Sequence, residues 1–467
     1  MKVPKNPVLL SALLCGLLIA CAEGVVQGPN GHRNGQQNDE FGNGESGNGE
    51  PENGSPNGEQ EYTLTYSAGS NGVILGATPQ HVLAGQDGSP VEAVPDTGYV
   101  FTGWSDSITQ NPRTDRSVTS DITVTAFFGH LEYVITATAG PNGSIEPSGN
   151  IAVSHGEDVS FAISPSEGYQ IDSVLMNNID VGPQEIVTLE DIDQDGSIEA
   201  HFAPSPFSFC VLTDTHYGDI ADDPERPRYF RRSVENVEAT VAICDQRGAS
   251  FVVHLGDIVQ EAGNKSDTIS RMRAIDNAMT SFSGPLHYAI GNHDVGDLTK
   301  SEVLANTSGY QSSRHYSFEQ GEYVFLVLDA NFRGDGTEYG EGNFNWEDAY
   351  IPASQRAWIS NALEDAANGD KKAIVLLHHV IDDREGRTRI NNHAQIRGIL
   401  EDAGNVVVVF QGHRHTGGYR YINGIHYVNV RGTVNVETYS FGLVTIQGDD
   451  IHFEGHGWQP NHDLSSP

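Results

Sequence analysis

Short apolar runs alternate with longer stretches of helical periodicity along the second half of the chain, after Pro204-Ser205-Pro206. Two later segments, Tyr419–Val430 and Tyr439–Phe453, add strand-like runs without helices between them. The pattern predicts an α/β fold, in which ligands bind beyond the carboxyl ends of the strands. The predicted strands are 207–212, 251–254, 286–290, 323–328, 374–377 and 406–410, and the predicted helices are 233–247, 269–282 and 354–367.

The region before this boundary alternates apolar and polar residues with period two between Gly and Asn turns, and it repeats itself. Glu61-Tyr62 returns as Glu132-Tyr133, and Gly98-Tyr99 returns as Gly168-Tyr169, with a period of about seventy residues. We therefore predict two small all-β modules, residues 61–129 and 130–204. They resemble the internalin-type B repeats of bacterial surface proteins. The resemblance implies a spacer or a binding module of unknown ligand, and a spacer is the simpler interpretation.

The first residues have the composition of an export signal. Lys2 and Lys5 precede an apolar stretch, Val8–Ala20, that is too short to span a membrane. The tetrapeptide Leu18-Ile19-Ala20-Cys21 resembles a bacterial lipobox, which implies cleavage before Cys21 and a lipid anchor on that residue. An ordinary signal peptide with an incidental cysteine is the alternative.

We accordingly expect residues 1–20 to be a lipoprotein signal peptide and residues 21–60 to be a lipidated tether. The tether is rich in Gly, Asn and Glu and has too few apolar residues to form a core, so it is expected to be disordered. The expected location is extracytoplasmic, at the outer membrane of a Gram-negative cell or at the cell surface otherwise.

Once the signal is removed and Cys21 is acylated, two cysteines remain. Cys210 falls in a predicted strand and Cys244 in a predicted helix, and both are interpreted as buried thiols. A disulfide between them is compatible with the sequence, but nothing in the sequence requires it.

Five short polar motifs follow apolar runs in the second half of the chain. Hard divalent metals take carboxylate, amide and imidazole ligands, and two such ions can together hold a phosphoryl group during its displacement. Asp214 and His216 are two residues apart, so in an extended segment they point to the same side and can share one ion. The motifs are Asp214-Thr215-His216, Gly256-Asp257, Gly291-Asn292-His293-Asp294, His378-His379 and Gly412-His413-Arg414-His415.

Together these motifs resemble the pattern of the calcineurin-like metallophosphoesterase superfamily. The resemblance implies a four-layer α/β-β/α sandwich over residues 205–460, with a tail at 461–467, and two divalent metal ions (Mn, Fe, Zn or Mg). It also implies a metal-bridging hydroxide as the nucleophile and His293 as the general acid or transition-state stabiliser, oriented by Asp294. The implied ligands are Asp214, His216 and His415 for the first ion, Asn292, His378 and His413 for the second, and Asp257 as the bridge between them.

A narrower resemblance concerns the substrate. The sequences around Arg228-Tyr229-Phe230-Arg231, Gly256-Asp257 and His413 to Tyr419 are similar to those of manganese-dependent ADP-ribose/CDP-alcohol diphosphatases. That subgroup typically has Gln at the position of His216, so this chain departs from it there. Arg228 and Arg231 are candidates for holding a second phosphate, and surface ion pairs are the alternative for both.

Two further histidines need an interpretation. His379 is adjacent to His378 and points to the opposite face of an extended segment, so we expect it to support the site or face the substrate. His254 is expected to be a structural histidine of its strand, and a role behind the metal ligands is the alternative.

The charge of the chain limits its partners. Asp and Glu number 63 against 26 Lys and Arg, for a net charge of −37. Such a surface repels nucleic acid backbones, and no nucleic-acid partner is expected. A small phosphorylated substrate remains compatible, since a two-metal site supplies local positive charge. Two alternatives stay open: a generic phosphomonoesterase or cyclic-nucleotide phosphodiesterase, and a surface-binding protein with an inert phosphoesterase domain.

Overall fold

The computed structural model describes residues 60–465 except 223, 224, 226, 310–312, 383–385 and 387. The predicted signal peptide, Cys21 and nearly all of the predicted tether lie outside the described residues. Among the helices of the described part, none is both long and apolar enough to cross a membrane.

The first repeat module folds into a four-stranded sheet and a two-stranded hairpin. The sheet order is β3-β1-β6-β5, in which the central pair β1 and β6 is parallel, and β2 pairs with β4. The strands are β1 (Glu61–Ala68), β2 (Gly72–Leu75), β3 (Gln80–Leu83), β4 (Glu92–Pro95), β5 (Tyr99–Trp104) and β6 (Ile122–His130).

The second module repeats this plan around another parallel central pair, β7 and β14. Its sheets have the orders β12-β11-β14-β7-β9 and β13-β10-β8. The strands are β7 (Glu132–Ala139), β8 (Gly143–Glu146), β9 (Gly149–Ser154), β10 (Val159–Pro165), β11 (Tyr169–Met176), β12 (Ile179–Asp180), β13 (Ile186–Leu189) and β14 (Gly196–Pro204).

Each module contains an equivalent packing contact, which explains why a glycine is repeated at the same place in both. A Cβ atom on Gly72 would lie 2.4 Å from the ring of Phe128, and one on Gly143 would lie 2.2 Å from the ring of Phe202. Both distances are shorter than a non-bonded carbon contact, so a side chain at either position would require the phenylalanine ring to move.

The Gly-Tyr turn of each module also binds the start of the next segment. The carbonyl oxygen of Gly98 accepts a hydrogen bond from Leu131 N–H, and that of Gly168 accepts one from Ser205 N–H, each at 2.8 Å. The repeat therefore includes the way each module is joined to the one that follows.

The α/β domain contains two six-stranded mixed sheets. Their orders are β17-β16-β15-β24-β25-β26 and β18-β19-β20-β21-β23-β22. The strands are β15 (Phe207–Leu212), β16 (Phe251–His254), β17 (Leu286–Tyr288), β18 (Tyr316–Gln320), β19 (Tyr323–Val327), β20 (Lys372–Leu377), β21 (Val406–Gln411), β22 (Gly418–Ile422), β23 (Ile425–Asn429), β24 (Ser440–Gln447), β25 (Asp450–Gly457) and β26 (His462–Asp463). The helices are α1 (Ser233–Gln246), α2 (Lys265–Met279), α3 (Lys300–Leu304), α4 (Ala353–Asn368) and α5 (His393–Ala403).

Alternation along the strands creates the layers. In β15, Phe209 and Val211 pack between the two sheets, whereas Cys210 and Leu212 pack against α1 and α2 on the opposite face. The second sheet packs in the same way against α4 and α5. The result is the four-layer α/β-β/α sandwich expected from the sequence.

Two details differ from the expectations. Cys210 and Cys244 form a disulfide, so they are not buried free thiols. Both residues have no exposed surface, and the bond fastens α1 to β15 inside the core. The expected tail at 461–467 also contributes to the fold, since β26 pairs with β25 and Leu464 is buried.

The topology brings the polar motifs together. Strands β15, β16 and β17 run parallel in one sheet, and β20 and β21 run parallel in the other. The motifs follow the carboxyl ends of these five strands, so they meet at one edge of the sandwich.

Candidate metal centre and active site

The loops that carry the motifs adopt an unusual backbone conformation. Asp214, His216, Asp257 and His413 have φ angles of 51°, 44°, 53° and 65°, which lie in the left-handed region. Such conformations cost of order 1–3 kcal/mol each for residues other than glycine and are held in place by their surroundings. Gly291 allows two of the loops to touch, because a Cβ atom there would lie 2.0 Å from the backbone nitrogen of Asp257.

The first group of side chains consists of Asp214, His216 and His415, whose candidate ligand atoms all lie within 4.8 Å of one another. The Nε2 atoms of His216 and His415 face each other at 3.1 Å, and Asp214 Oδ1 lies 3.4 Å from His415 Nε2. His415 Nδ1 is 2.7 Å from Asn435 Oδ1, a contact that orients the imidazole ring.

The second group consists of Asp257, His378 and His413, and it also fits within 4.8 Å. His378 Nε2 is 3.2 Å from Asp257 Oδ2 and 3.1 Å from His413 Nδ1. Asp257 Oδ2 also lies 3.4 Å from His216 Nε2, so this carboxylate stands between the two groups. Asn292 is fully buried and lines the same cavity.

The donor atoms fit a pair of cations. Among the described residues, Asn292 Oδ1 and Asp214 Oδ1 are buried without a hydrogen-bond partner. Buried polar groups in proteins are almost always paired, so these atoms indicate an absent ligand. Burial lowers the pKa of His413 to about 3 and that of His415 to about 4, so both rings are neutral and able to bind metal.

Within the His378-His379 motif, only His378 joins the cluster. Its Nδ1 lies 3.1 Å from the carbonyl oxygen of Leu255, so Nδ1–H donates there and Nε2 is directed at the cluster. His379 is fully buried and is absent from the cavity lining, so it does not face the substrate. Its ring packs 5.0 Å from that of His413 and supports the site from behind.

Asp294 has a different role from the one expected. Its carboxylate accepts backbone N–H groups of Asp257, Ile258 and Gly291 at 2.7–3.0 Å. It therefore fixes the loop that presents Asp257 and does not orient His293. Burial, followed by the nearby Asp257 carboxylate, raises the pKa of Asp294 to about 7.

The partner of His293 is Glu261, which the motif analysis missed. Glu261 Oε2 lies 2.6 Å from His293 Nδ1, and Gln260 Nε2 lies 3.1 Å from the same atom. Burial opposes protonation of His293, but the carboxylates of Asp257 and Glu261 outweigh it and raise the pKa of the imidazole. The sequence does show an acidic residue four positions after Asp257. It does not show that the side chain of this residue points toward His293.

The cluster opens into a cavity of about 450 Å³. Arg228, Arg414, Phe344 and Trp346 contribute to its walls, and only Arg228 was expected there. Arg231 is instead more than half exposed and pairs with Asp219 at 2.7 Å, so the structure does not place it at the site.

Comparison with known proteins gives the family of this domain. Residues 207–417 match the model of the calcineurin-like phosphoesterase family, and residues 62–130 and 133–206 each match the divergent InlB B-repeat domain. The α/β segment is thus a calcineurin-like phosphoesterase domain. The protein that carries it is a metal-dependent phosphoester hydrolase with two metal ions. The candidate ligands do not specify which metal is bound.

Individual relatives agree with this assignment. The chain is 25% identical over 291 residues to a manganese-dependent ADP-ribose/CDP-alcohol diphosphatase of Arabidopsis thaliana, covering 53% of this chain and 94% of that protein. A protein of the same name from Bos taurus is 22% identical over 314 residues, covering 55% and 93%. A dimetal phosphatase structure from Danio rerio shares the fold, with a TM-score of 0.50, 17% identity and coverage of 56% and 99%.

Proposed function

We propose that this protein hydrolyses small nucleotide-like diphosphates outside the cytoplasm. The observation that carries the proposal is the composition of one cavity. It combines the metal cluster with two arginines and two aromatic side chains, which suit phosphates and a flat base respectively. The similarity to relatives named as ADP-ribose/CDP-alcohol diphosphatases supports the same substrate class.

In the proposed mechanism, Asp214, His216 and His415 would hold one cation and Asn292, His378 and His413 would hold the other, while Asp257, which stands between the two groups, would contribute to both. When bound, the two cations neutralise the phosphate and lower the pKa of the water that attacks phosphorus. The protein contributes by fixing these side chains before the substrate arrives, which removes the cost of arranging them during the reaction.

His293 serves as the proton donor to the leaving oxygen. Glu261 accepts its Nδ1–H at 2.6 Å, which leaves Nε2 as the atom available to the substrate. The backbone N–H of His293 donates to Asp257 Oδ1 at 2.8 Å, so the position of the acid is tied to that of the bridging carboxylate.

The side chains in the walls of the cavity favour a diphosphate as the substrate. Arg414 donates to Thr416 through Nε at 3.3 Å, and neither Arg228 nor Arg414 forms an ion pair with a carboxylate among the described residues. In a protein of net charge −37, these two arginine side chains in the cavity wall are therefore available to bind the second phosphate, which the metal ions would not hold. Phe344 packs 5.6 Å from the His293 ring, and Trp346 packs 6.3 Å from the His413 ring, so an apolar surface adjoins the cluster.

A substrate panel tests the proposal. With added Mn²⁺, ADP-ribose and CDP-choline should be hydrolysed with a higher kcat/KM than cyclic AMP or a simple phosphomonoester, and a chelator should abolish all turnover. Dominant turnover of the monoester would instead assign the protein as a generic phosphomonoesterase.

The arginines provide a matched test of the second phosphate site. Arg228→Gln and Arg414→Gln should each lower kcat/KM for ADP-ribose by about tenfold, the loss of one charged hydrogen bond. Turnover of the monoester should change little, and Arg231→Gln should leave both activities unchanged. Equal losses on both substrates would exclude a role for these arginines with the second phosphate.

The proposed location outside the cytoplasm rests on the lipobox-like sequence that ends at Cys21. The Cys210–Cys244 disulfide supports export, since such bonds persist mainly in oxidising compartments. Cells fed a labelled fatty acid should label the wild-type protein but not Cys21→Ala, and fractionation should recover the wild type with membranes. Labelling of neither protein would contradict the anchor.

A further inference from the structure

The backbone strand that leads to Asp257 carries a buried histidine, His254, directly behind the cluster. It lies at the end of β16 and has no exposed surface. Neither of the ring nitrogens faces the cavity, so His254 is not a candidate metal ligand. Its contacts nevertheless reach both loops that supply the first ligands.

Both ring nitrogens of His254 are engaged. The backbone N–H of Gly256 donates to Nδ1 at 3.1 Å, so in the neutral ring the proton is on Nε2. Nε2 lies 3.0 Å from the hydroxyl oxygen of Thr215, which in turn donates to the carbonyl oxygen of Ile258 at 2.7 Å. The hydrogen bonds therefore all run in one direction, from the Gly256 N–H through His254 and Thr215 to the Ile258 carbonyl.

Thr215 stands between two candidate ligands, Asp214 and His216, and its side chain points away from the metals. Its backbone carbonyl accepts a hydrogen bond from Ser233 Oγ at the start of α1. The hydrogen-bonded chain therefore links the Asp214-Thr215-His216 loop to both sides of Asp257, through Gly256 and Ile258.

The two loops also run side by side through backbone hydrogen bonds. Asp214 N–H donates to the Gly256 carbonyl at 3.0 Å, and His216 N–H donates to the Asp257 carbonyl at 2.9 Å. These bonds align the loops, but the three ligand residues keep left-handed φ angles that an isolated loop would not hold. The rigid imidazole ring of His254 lies between the two loops and also sets the distance between them.

We propose that His254 is a positioning residue: through Thr215 and Gly256 it fixes Asp214 and His216 relative to the bridging Asp257. This inference rests on the proposed metal ligands and concerns their spacing. A leucine of similar size would leave the buried Gly256 N–H without an acceptor and the Thr215 hydroxyl oxygen without its donor. Loosening that spacing should weaken metal binding and slow the chemical step while leaving substrate contacts in place.

The test compares His254→Leu and Thr215→Val with His287→Leu. His287 is a matched control, because it is a buried histidine on the neighbouring strand β17 whose ring stacks on Phe318, with ring centroids 3.5 Å apart, and is not among the candidate metal ligands. His254→Gln is a second variant, since its amide can both accept from Gly256 and donate to Thr215. Mn²⁺ affinity is measured directly by electron paramagnetic resonance, alongside kcat, KM and Tm.

We expect His254→Leu and Thr215→Val each to weaken Mn²⁺ binding by about 10- to 100-fold, as loss of groups behind metal ligands typically does. KM for the substrate should stay within about threefold, His254→Gln should recover most of the affinity, and the double variant should add little to either single loss. The proposal is overturned if His254→Leu binds Mn²⁺ like His287→Leu. Absence of wild-type diphosphate turnover, with Mn²⁺ binding still sensitive to His254, would count against the proposed substrate alone.

Discussion

Two regions of this molecule bury charged side chains, and they do so in opposite ways. In the first repeat module, Arg113 is 3% exposed and forms two bidentate ion pairs, with Asp106 and Asp115, at 2.7–2.8 Å. Asp115 also accepts the hydroxyl of Tyr66 at 2.7 Å. We refer to Arg113, Asp106, Asp115 and Tyr66 as the arginine cluster, and its charges are satisfied from within the module.

In the phosphoesterase domain, the metal cluster is largely buried as well, but its polar atoms are not all satisfied. The side-chain oxygens Asn292 Oδ1 and Asp214 Oδ1 have no hydrogen-bond partner among the described residues, and several imidazole nitrogens face one another. Burial of polar groups is therefore not a sign of function by itself. The sign is burial with bonding capacity left over at converging atoms, and this contrast makes separable predictions for the two regions.

The largest effect is expected at the bridging carboxylate. Asp257→Asn should reduce hydrolysis of an activated aryl phosphate at least about 1000-fold, because the bridge and several kcal/mol of charge stabilisation are lost. The Tm of the metal-free protein should change by only a few degrees. Asp219→Asn, a change at an exposed carboxylate, is the control. Unchanged metal-dependent turnover in Asp257→Asn would refute the assignment of the site.

The next effect concerns the proton donor. His293→Asn should slow hydrolysis of an alkyl phosphate by about 100-fold or more, within the range for general acid catalysis, because the departing alkoxide needs a proton. The loss should be much smaller for p-nitrophenyl phosphate, whose leaving group is stable without a proton. Glu261→Gln should show the same substrate dependence with a smaller loss. Equal losses on the two substrates would point to a structural role for His293.

Removing the charge of the arginine cluster should have the opposite signature. Arg113→Met leaves two carboxylates without their cation and should destabilise the first module by about 3 kcal/mol, near the lower end for a broken buried pair because Asp106 is partly exposed. Hydrogen exchange in peptides from β1 and β6 reports this local loss. Phosphoesterase activity and Mn²⁺ affinity should match the wild type. A parallel loss of activity would show that the two regions are coupled.

The smallest predicted effect is the acid sensitivity of the same cluster. The hydrogen bonds from Arg113 lower the pKa of Asp115 below its ordinary value, although burial opposes the shift. A carboxylate with a depressed folded-state pKa stabilises the fold above the unfolded pKa of about 4, and this contribution is lost as the pH falls further. Protection of β1 and β6 should therefore decline below about pH 4 in the wild type. The decline should be shallower in Arg113→Met, and an equally steep decline would locate the sensitivity elsewhere.

Much of this architecture could be predicted from the chain. The period-two runs and the duplicated Gly-Tyr turns indicated the modules, and strand β15 begins and ends where the apolar run does. The candidate metal ligands were predictable because each follows a strand within a short motif, and parallel strands bring such ends together.

What escaped prediction depends on the paths of loops and on pairs that are distant in sequence. Glu261 reaches His293 only because the loop after Asp257 folds back, while Asp294 turns toward backbone N–H groups. Arg414 lines the cavity although its motif positions only the flanking histidines, whereas Arg231 turns to Asp219. The Cys210–Cys244 bond joins a strand face to a helix face, and neither residue type nor spacing specifies that meeting.

The central claim is that the unsatisfied cluster binds two metal ions. A crystal structure of the protein with Mn²⁺, with anomalous scattering measured at the manganese edge, tests it most directly. We predict two peaks about 3.5–4 Å apart, one beside Asp214, His216 and His415 and the other beside Asn292, His378 and His413, with Asp257 between them. A fully loaded crystal with a single ion, or with manganese bound away from Asp257, would contradict this account.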